Sequence, residues 1–340
     1  MSLKDLARKT RTSLVDFLWR QWAQLGMAGA ARSADDWVID PEALLLFTMD
    51  AGRYDARLFD EVVGWTAANE RWISLQRLKN LAESWTTDTA LRGLAGFASL
   101  LNSLEKRDRW SALSKLNVPA PGEPVPFFLD ADGGPMPAFG EMDPFFADAG
   151  LVKPVTVVRG LSSGIPMKAR TALILRLRAL LGLGPRAEVA AYLLTHGRAA
   201  VSDIARAVGY SRWQVQQTLN DLGEGGFTSV AHRGKLRSYA LLDVAQWEAL
   251  LGASGSVPKW VEWPRVFHTL SGLLEFLGEI SAGELSEYML ASRMLTQDES
   301  MRQGLADTGL GIPFARQCDL TGVLDEFPHK VEDLLEMLDG

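Results

Sequence analysis

Apolar positions recur every three or four residues at the start of the chain: Leu3 and Leu6, then Leu14, Leu18, Trp22 and Leu25, closed by Gly26. That is the period of a helix with one face turned to a core. Asp40-Pro41-Glu42 predicts the next start, with an N-cap acid, proline at the first helical position and an acid in the first turn. Further rows run through Leu58–Trp65, Trp72–Leu81 and Leu91–Leu104, and alternating β-branched runs are few. Residues 1–116 are therefore expected to form a helical N-terminal domain.

The pattern then breaks. Seven of the 15 prolines lie from Pro119 to Pro144, with Gly133-Gly134 among them. Proline fixes φ and removes a donor, which excludes a long helix or a central strand. Phe127, Phe128, Phe139, Phe145 and Phe146 give the stretch more aromatic surface than a free linker needs. Residues 117–170 read as an extended connector packed across another surface. Thr171–Leu181 returns to an apolar helix, whose Arg176 and Arg178 are expected to reach solvent at the end of their stems.

The period shifts again over 186–243. Arg186–Thr195 predicts a helix stopped at His196-Gly197. Ser202 is expected to cap a short helix, Asp203–Val208, and Ser211 a longer one, Arg212–Glu224, ended by Gly225-Gly226. Two helices joined by a tight turn need a small residue where they touch, one tolerant of positive φ at the turn, and an aliphatic plug between them. Ala205, Gly209 and Val215 stand at those places. This spacing leaves Ser211, Arg212, Trp213, Gln216, Gln217 and Asn220 on the outer face of the second helix. Arg, Gln and Asn are side chains suited to bidentate bonding with base edges in the major groove. Two β-rich runs around a Gly-containing turn follow, with His232, Arg233, Lys235 and Arg237 at the tip, placed for phosphate contact.

This segment resembles the MarR/ArsR-type bacterial winged-helix regulators. The likeness rests on Ser202-Asp-Ile-Ala-Arg-Ala-Val-Gly-Tyr-Ser211, on Leu219-Asn-Asp-Leu-Gly-Glu-Gly-Gly-Phe227, and on the basic turn leading to Tyr239-Ala-Leu241, within residues 186–243 of 340. It implies that the second helix is a recognition helix and that Arg233–Arg237 is the wing. The expected fold class is mainly α: a helical N-terminal domain, a central winged helix-turn-helix with a small β-hairpin over 171–252, and an acidic helical C-terminal region over 253–340.

Charge changes the picture. The formal total is -7, which alone argues against a polyanionic partner. Residues 151–243, however, hold 13 Lys and Arg against 5 acids, a local excess of +8, between acidic flanks. The expected partner is double-stranded DNA, bound by a homodimer, with a further protein partner accommodated by the helical flanks. The alternative is a non-enzymatic adaptor or antitoxin-like protein whose winged helix docks another protein.

No enzyme chemistry is expected. The four histidines are scattered and lack a cysteine companion, so neither metal nor cofactor is expected. Asp130, Asp132 and Glu141 have part of a calcium-loop spacing, but Pro135 stands where that loop needs glycine, and an ordinary acidic loop is the better reading. A single cysteine, Cys318, excludes an internal disulfide. No apolar run reaches the ~18 residues of a membrane span. Met1–Leu6 mixes acids and bases without an apolar core, so a cytoplasmic location and no membrane partner are expected.

Overall fold

At the head of α1 (Leu3–Gln24), Ser2 and Asp5 cap each other, each side chain accepting from the other's backbone N–H; the helix then turns Leu14, Phe17, Leu18 and Trp22 inward. The structure is a computed structural model that describes residues 2–29, 36–85, 87–116, 118, 123–160, 162–234, 236–251, 257–283, 285–311, 316, 318–320 and 322–339. Along the chain follow α2 (Pro41–Ala51), α3 (Ala56–Asn69), α4 (Leu75–Glu83), α5 (Asp88–Glu105), α6 (Ser111–Ser114), β1 (Val125–Pro126), α7 (Pro144–Asp148) and β2 (Leu151–Val152). Next come α8 (Leu173–Leu181), α9 (Pro185–His196), β3 (Arg198–Ala200), α10 (Val201–Val208), α11 (Arg212–Glu224), β4 (Thr228–Arg233), β5 (Leu236–Leu241) and α12 (Val244–Leu250). α13 (Trp263–Ala282), α14 (Glu287–Leu305) and α15 (Val323–Asp339) end the chain. The protein is mainly helical. No helix among the described residues is long and apolar enough to cross a membrane.

The buried side chains form two clusters. One joins α1–α5 to α13–α15, which lie more than 150 residues apart in the sequence, and so makes a single helical body. α2 is buried along its whole length at its centre, with Phe47 stacked on Phe267 of α13 at 4.7 Å. Aromatic residues of the Pro-rich stretch join the same cluster: the edges and faces of Phe127, Phe128 and Phe146 meet Phe59 of α3 at 4.9–5.8 Å. β1 and β2 pair in parallel beside them.

The second cluster is made by α8–α12 and the strands between them, with Val38 and Trp260 at its edge. Here β3, β5 and β4 form an antiparallel sheet in that spatial order, and His232 faces Arg237 across the β4–β5 pair. This module is inserted between the two halves of the body. The chain crosses between them where Ile39 N–H donates to Thr171 O and Val38 N–H donates to Lys259 O, at 3.0 and 2.8 Å.

Two local expectations fail. Ser202 lies inside the first turn of α10 rather than capping it; Ala200 is the N-cap and supplies no side-chain bond. β3 was not anticipated, because Arg-Ala-Ala carries no β-branched pattern.

Candidate nucleic-acid interface

α10 and α11 meet as their spacing requires. Ile204, Ala205, Val208, Val215, Leu219 and Leu222 are buried between them and α9. Gly209 takes the left-handed conformation at φ 70°, and its N–H donates to Ala205 O. A Cβ there would stand 2.8 Å from Leu81 Cδ2 of α4, so the turn is also a site of close approach to the body. Ser211 and Gln214 form a reciprocal capping box that fixes the start of α11.

That geometry turns Ser211, Arg212, Trp213, Gln217 and Asn220 outward, Trp213 at 70% exposure. Gln216 is half-buried and does not stand free. Its Nε2 donates to Asn220 Oδ1 at 2.8 Å and to Tyr239 OH at 2.9 Å, tying the helix face to β5. Arg233 and Arg237 are exposed on the hairpin, and Lys235 lies outside the described residues. Among the described residues, Arg212, Arg233 and Arg237 make no ion pair. A groove of about 390 Å³ between α11 and the hairpin is lined by Asn220, Val230, His232, Arg237 and Tyr239, with Glu224 as its carboxylate.

Other basic residues of 151–243 are used differently. Arg159 pairs with Glu61, Arg170 with Asp36, Arg206 with Glu262, Lys153 with Asp143 and Arg186 with Asp221. All but Asp221 belong to flanking segments. Part of the local excess, namely Arg159, Arg170 and Arg206, is thus paired with carboxylates of the body.

The densest part of this joint is buried. Arg178 of α8, expected at solvent, has no exposed side-chain surface: it is bidentate to Glu42 at 2.7 Å and also meets Glu188 at 2.6 Å. Arg77 of α4 meets Asp40 at 2.5 Å and Glu42 at 2.8 Å, and its Nε donates to Val208 O at the end of α10. Ser74 Oγ and Tyr210 OH share a bond of 3.0 Å beside them. Burial disfavours a charged guanidinium, yet the carboxylates outweigh it and raise both arginines above their ordinary range. Burial also opposes the Asp40 charge, but Arg77 holds that carboxyl below its usual value. At Glu188 burial prevails and pushes the carboxyl up, and its Oε2 has no partner.

Comparison with protein-family models, curated proteins and solved structures returned no match. The site therefore stands on its own geometry. Asn220 and Arg237 line one groove, with Gln216 bonded to its Asn220 and Tyr239, while Arg212 and Trp213 project from the N-terminal turn of α11. Sequence reasoning missed Arg77, Glu42 and Glu188. The only signal for Glu42 was its place in a helix start, which has a sufficient local explanation.

Proposed function

We propose that residues 171–252 form a winged helix-turn-helix that binds double-stranded DNA sequence-specifically and regulates transcription, with α11 as recognition helix and β4–β5 as wing. The order helix, strand, helix, helix, strand, strand supports this layout and fits the resemblance to MarR/ArsR-type regulators. The observation that carries the functional reading is the set of exposed arginines, Arg212, Arg233 and Arg237, that have no carboxylate partner among the described residues and flank the outer face of α11. In this reading the tie from Tyr239 through Gln216 presets Asn220 for a base edge, and the arginines take phosphates. Two-fold DNA half-sites suit a homodimer.

Fluorescence anisotropy titration of genomic fragments at several salt concentrations tests the proposal. Wild type is expected to bind and an Arg212→Ala/Arg233→Ala double variant to lose most affinity; equal affinities would reject DNA binding. Light scattering that gives a monomer with and without DNA would reject the dimer.

One observation favours the adaptor reading. Trp213 at 70% and Leu236 at 69% exposure are apolar surfaces that a protein partner would cover. Co-purification of a stable protein partner with no retained DNA would select it.

A further inference from the structure

A cavity of about 830 Å³ lies far along α2 from the ion-pair cluster, between α1, the C-terminal end of α2, the start of α5, α13 and the loop at 129–133. Two of the three arginines in its wall, Arg11 and Arg53, are treated unlike Arg77 and Arg178. Arg11 is only 4% exposed. Its Nη1 donates to Ala131 O at 3.1 Å, its guanidinium lies over the Tyr54 ring at 5.4 Å, and its Nε has no partner. Arg53 donates to the carbonyls of Phe127 and Pro126 at 2.8 and 3.1 Å. Among the described residues neither forms an ion pair with a carboxylate.

Withdrawing a cation from water without a counter-charge is costly, so a buried guanidinium facing a cavity without one leaves an unmet demand for an anion. Glycine lets the 129–133 loop close onto Arg11, since a Cβ at Gly133 would stand 2.7 Å from Nη2. The carboxylates nearby do not meet the demand. Asp132 pairs with Arg8, Asp5 caps Ser2, and Glu279 pairs with Arg293 at the mouth. Glu275 is exposed. Asp50 accepts from Trp85 Nε1, Thr87 Oγ1 and Ser271 Oγ at 2.7–2.8 Å, and burial pushes its carboxyl up, toward the neutral form. The remaining wall, including Tyr54, Thr89, Leu274 and Ser281, mixes apolar and hydroxyl surface, as in sites for small polar metabolites.

We propose that this cavity binds a small organic anion, a carboxylate or a phosphate ester, whose head group is taken by Arg11 with Arg53 beside it and whose body fills the space next to Thr89 and Leu274. A guanidinium fork presents the paired donors that either head group accepts. The site lies outside the DNA-binding module and does not depend on that module's function.

The test is thermal denaturation and calorimetric titration of the full chain with citrate, glucose 6-phosphate, inorganic phosphate and glucose, each at ionic strength matched with sodium chloride. At least one anion is expected to raise the melting temperature saturably while glucose does not; citrate against the phosphates tells the two head groups apart. Arg11→Met is expected to weaken that anion at least tenfold. Thr89→Trp, which fills the cavity and keeps both arginines, is expected to abolish the shift, and it carries the test alone if Arg11→Met does not fold. No saturable shift with any of the three anions, an equal response to glucose, or unchanged binding in Thr89→Trp would overturn the proposal.

Discussion

Arg178 and Arg233 lie in the same basic stretch and contribute equally to its formal charge, yet they meet opposite environments. Arg178 has no exposed side-chain surface and is held by two carboxylates, one of them 136 residues away in sequence. Arg233 stands in water at the end of a hairpin. The first arginine acts as an internal fastener and the second is free to meet a partner. Net charge over a segment counts both alike, so it overstates the cationic surface offered to a polyanion.

The largest test of this contrast is Arg178→Met. Removing the cation leaves Glu42 and Glu188 buried together, and the expected loss is about 3–5 kcal/mol. Urea denaturation measures it, and Arg233→Met in the same assay is expected to leave the midpoint unchanged. Equal effects of the two substitutions would erase the distinction.

Gly209→Ala tests the joint from its other side. The left-handed backbone at φ 70° penalises a Cβ by about 1–2 kcal/mol, and Leu81 must shift to admit it. A melt that moves less than that of an Ala substitution at exposed Gly223 within α11 would show that the turn relaxes freely.

On the exposed side, Arg237→Gln is expected to lower the log–log salt slope of DNA binding by about 1 and to weaken all sequences alike. A change confined to one base position would instead make Arg237 a base reader.

The smallest effect is expected from Glu188→Gln. A carboxyl pushed above its ordinary value of 4.5 binds more protons in the native state than in the unfolded one. Stability therefore falls as pH rises from the unfolded value through the folded one. Glutamine keeps an acceptor for Arg178 and removes that titration, so denaturation midpoints measured from pH 4.5 upward should decline less than in wild type.

What the sequence disclosed was local. The Asp40-Pro41 start, the Ala205, Gly209 and Val215 spacing, and the Ser211 cap each depend on neighbours within a few residues, and each stands in the structure where expected. Ser211, Arg212, Trp213, Gln217 and Asn220 are exposed where the same spacing puts them, whereas Gln216, expected beside them, is half-buried through its bond to Tyr239. Phe267, Leu270, Leu274 and Leu277 recur at helical spacing as one apolar face, but a face does not name what it packs against. That α13 covers α1 and α2 could not be read from it. The Arg178 fastener was illegible for the same reason, since its partners come from α2 and α9. Arg11 was hidden as well. It sits in a row that looks like an ordinary amphipathic helix, and its burial depends on a loop 120 residues downstream.

The insertion of one module between two halves of a helical body has a consequence for synthesis. α2 leaves the ribosome with Phe47 bare, and the residue that stacks on it, Phe267, is made only after the whole intervening module. At about 5–20 residues per second that delay is on the order of 10–40 s. The inserted module can close its own core in that interval, while the first half of the body waits with a large apolar face uncovered, the state in which a nascent chain most needs a chaperone.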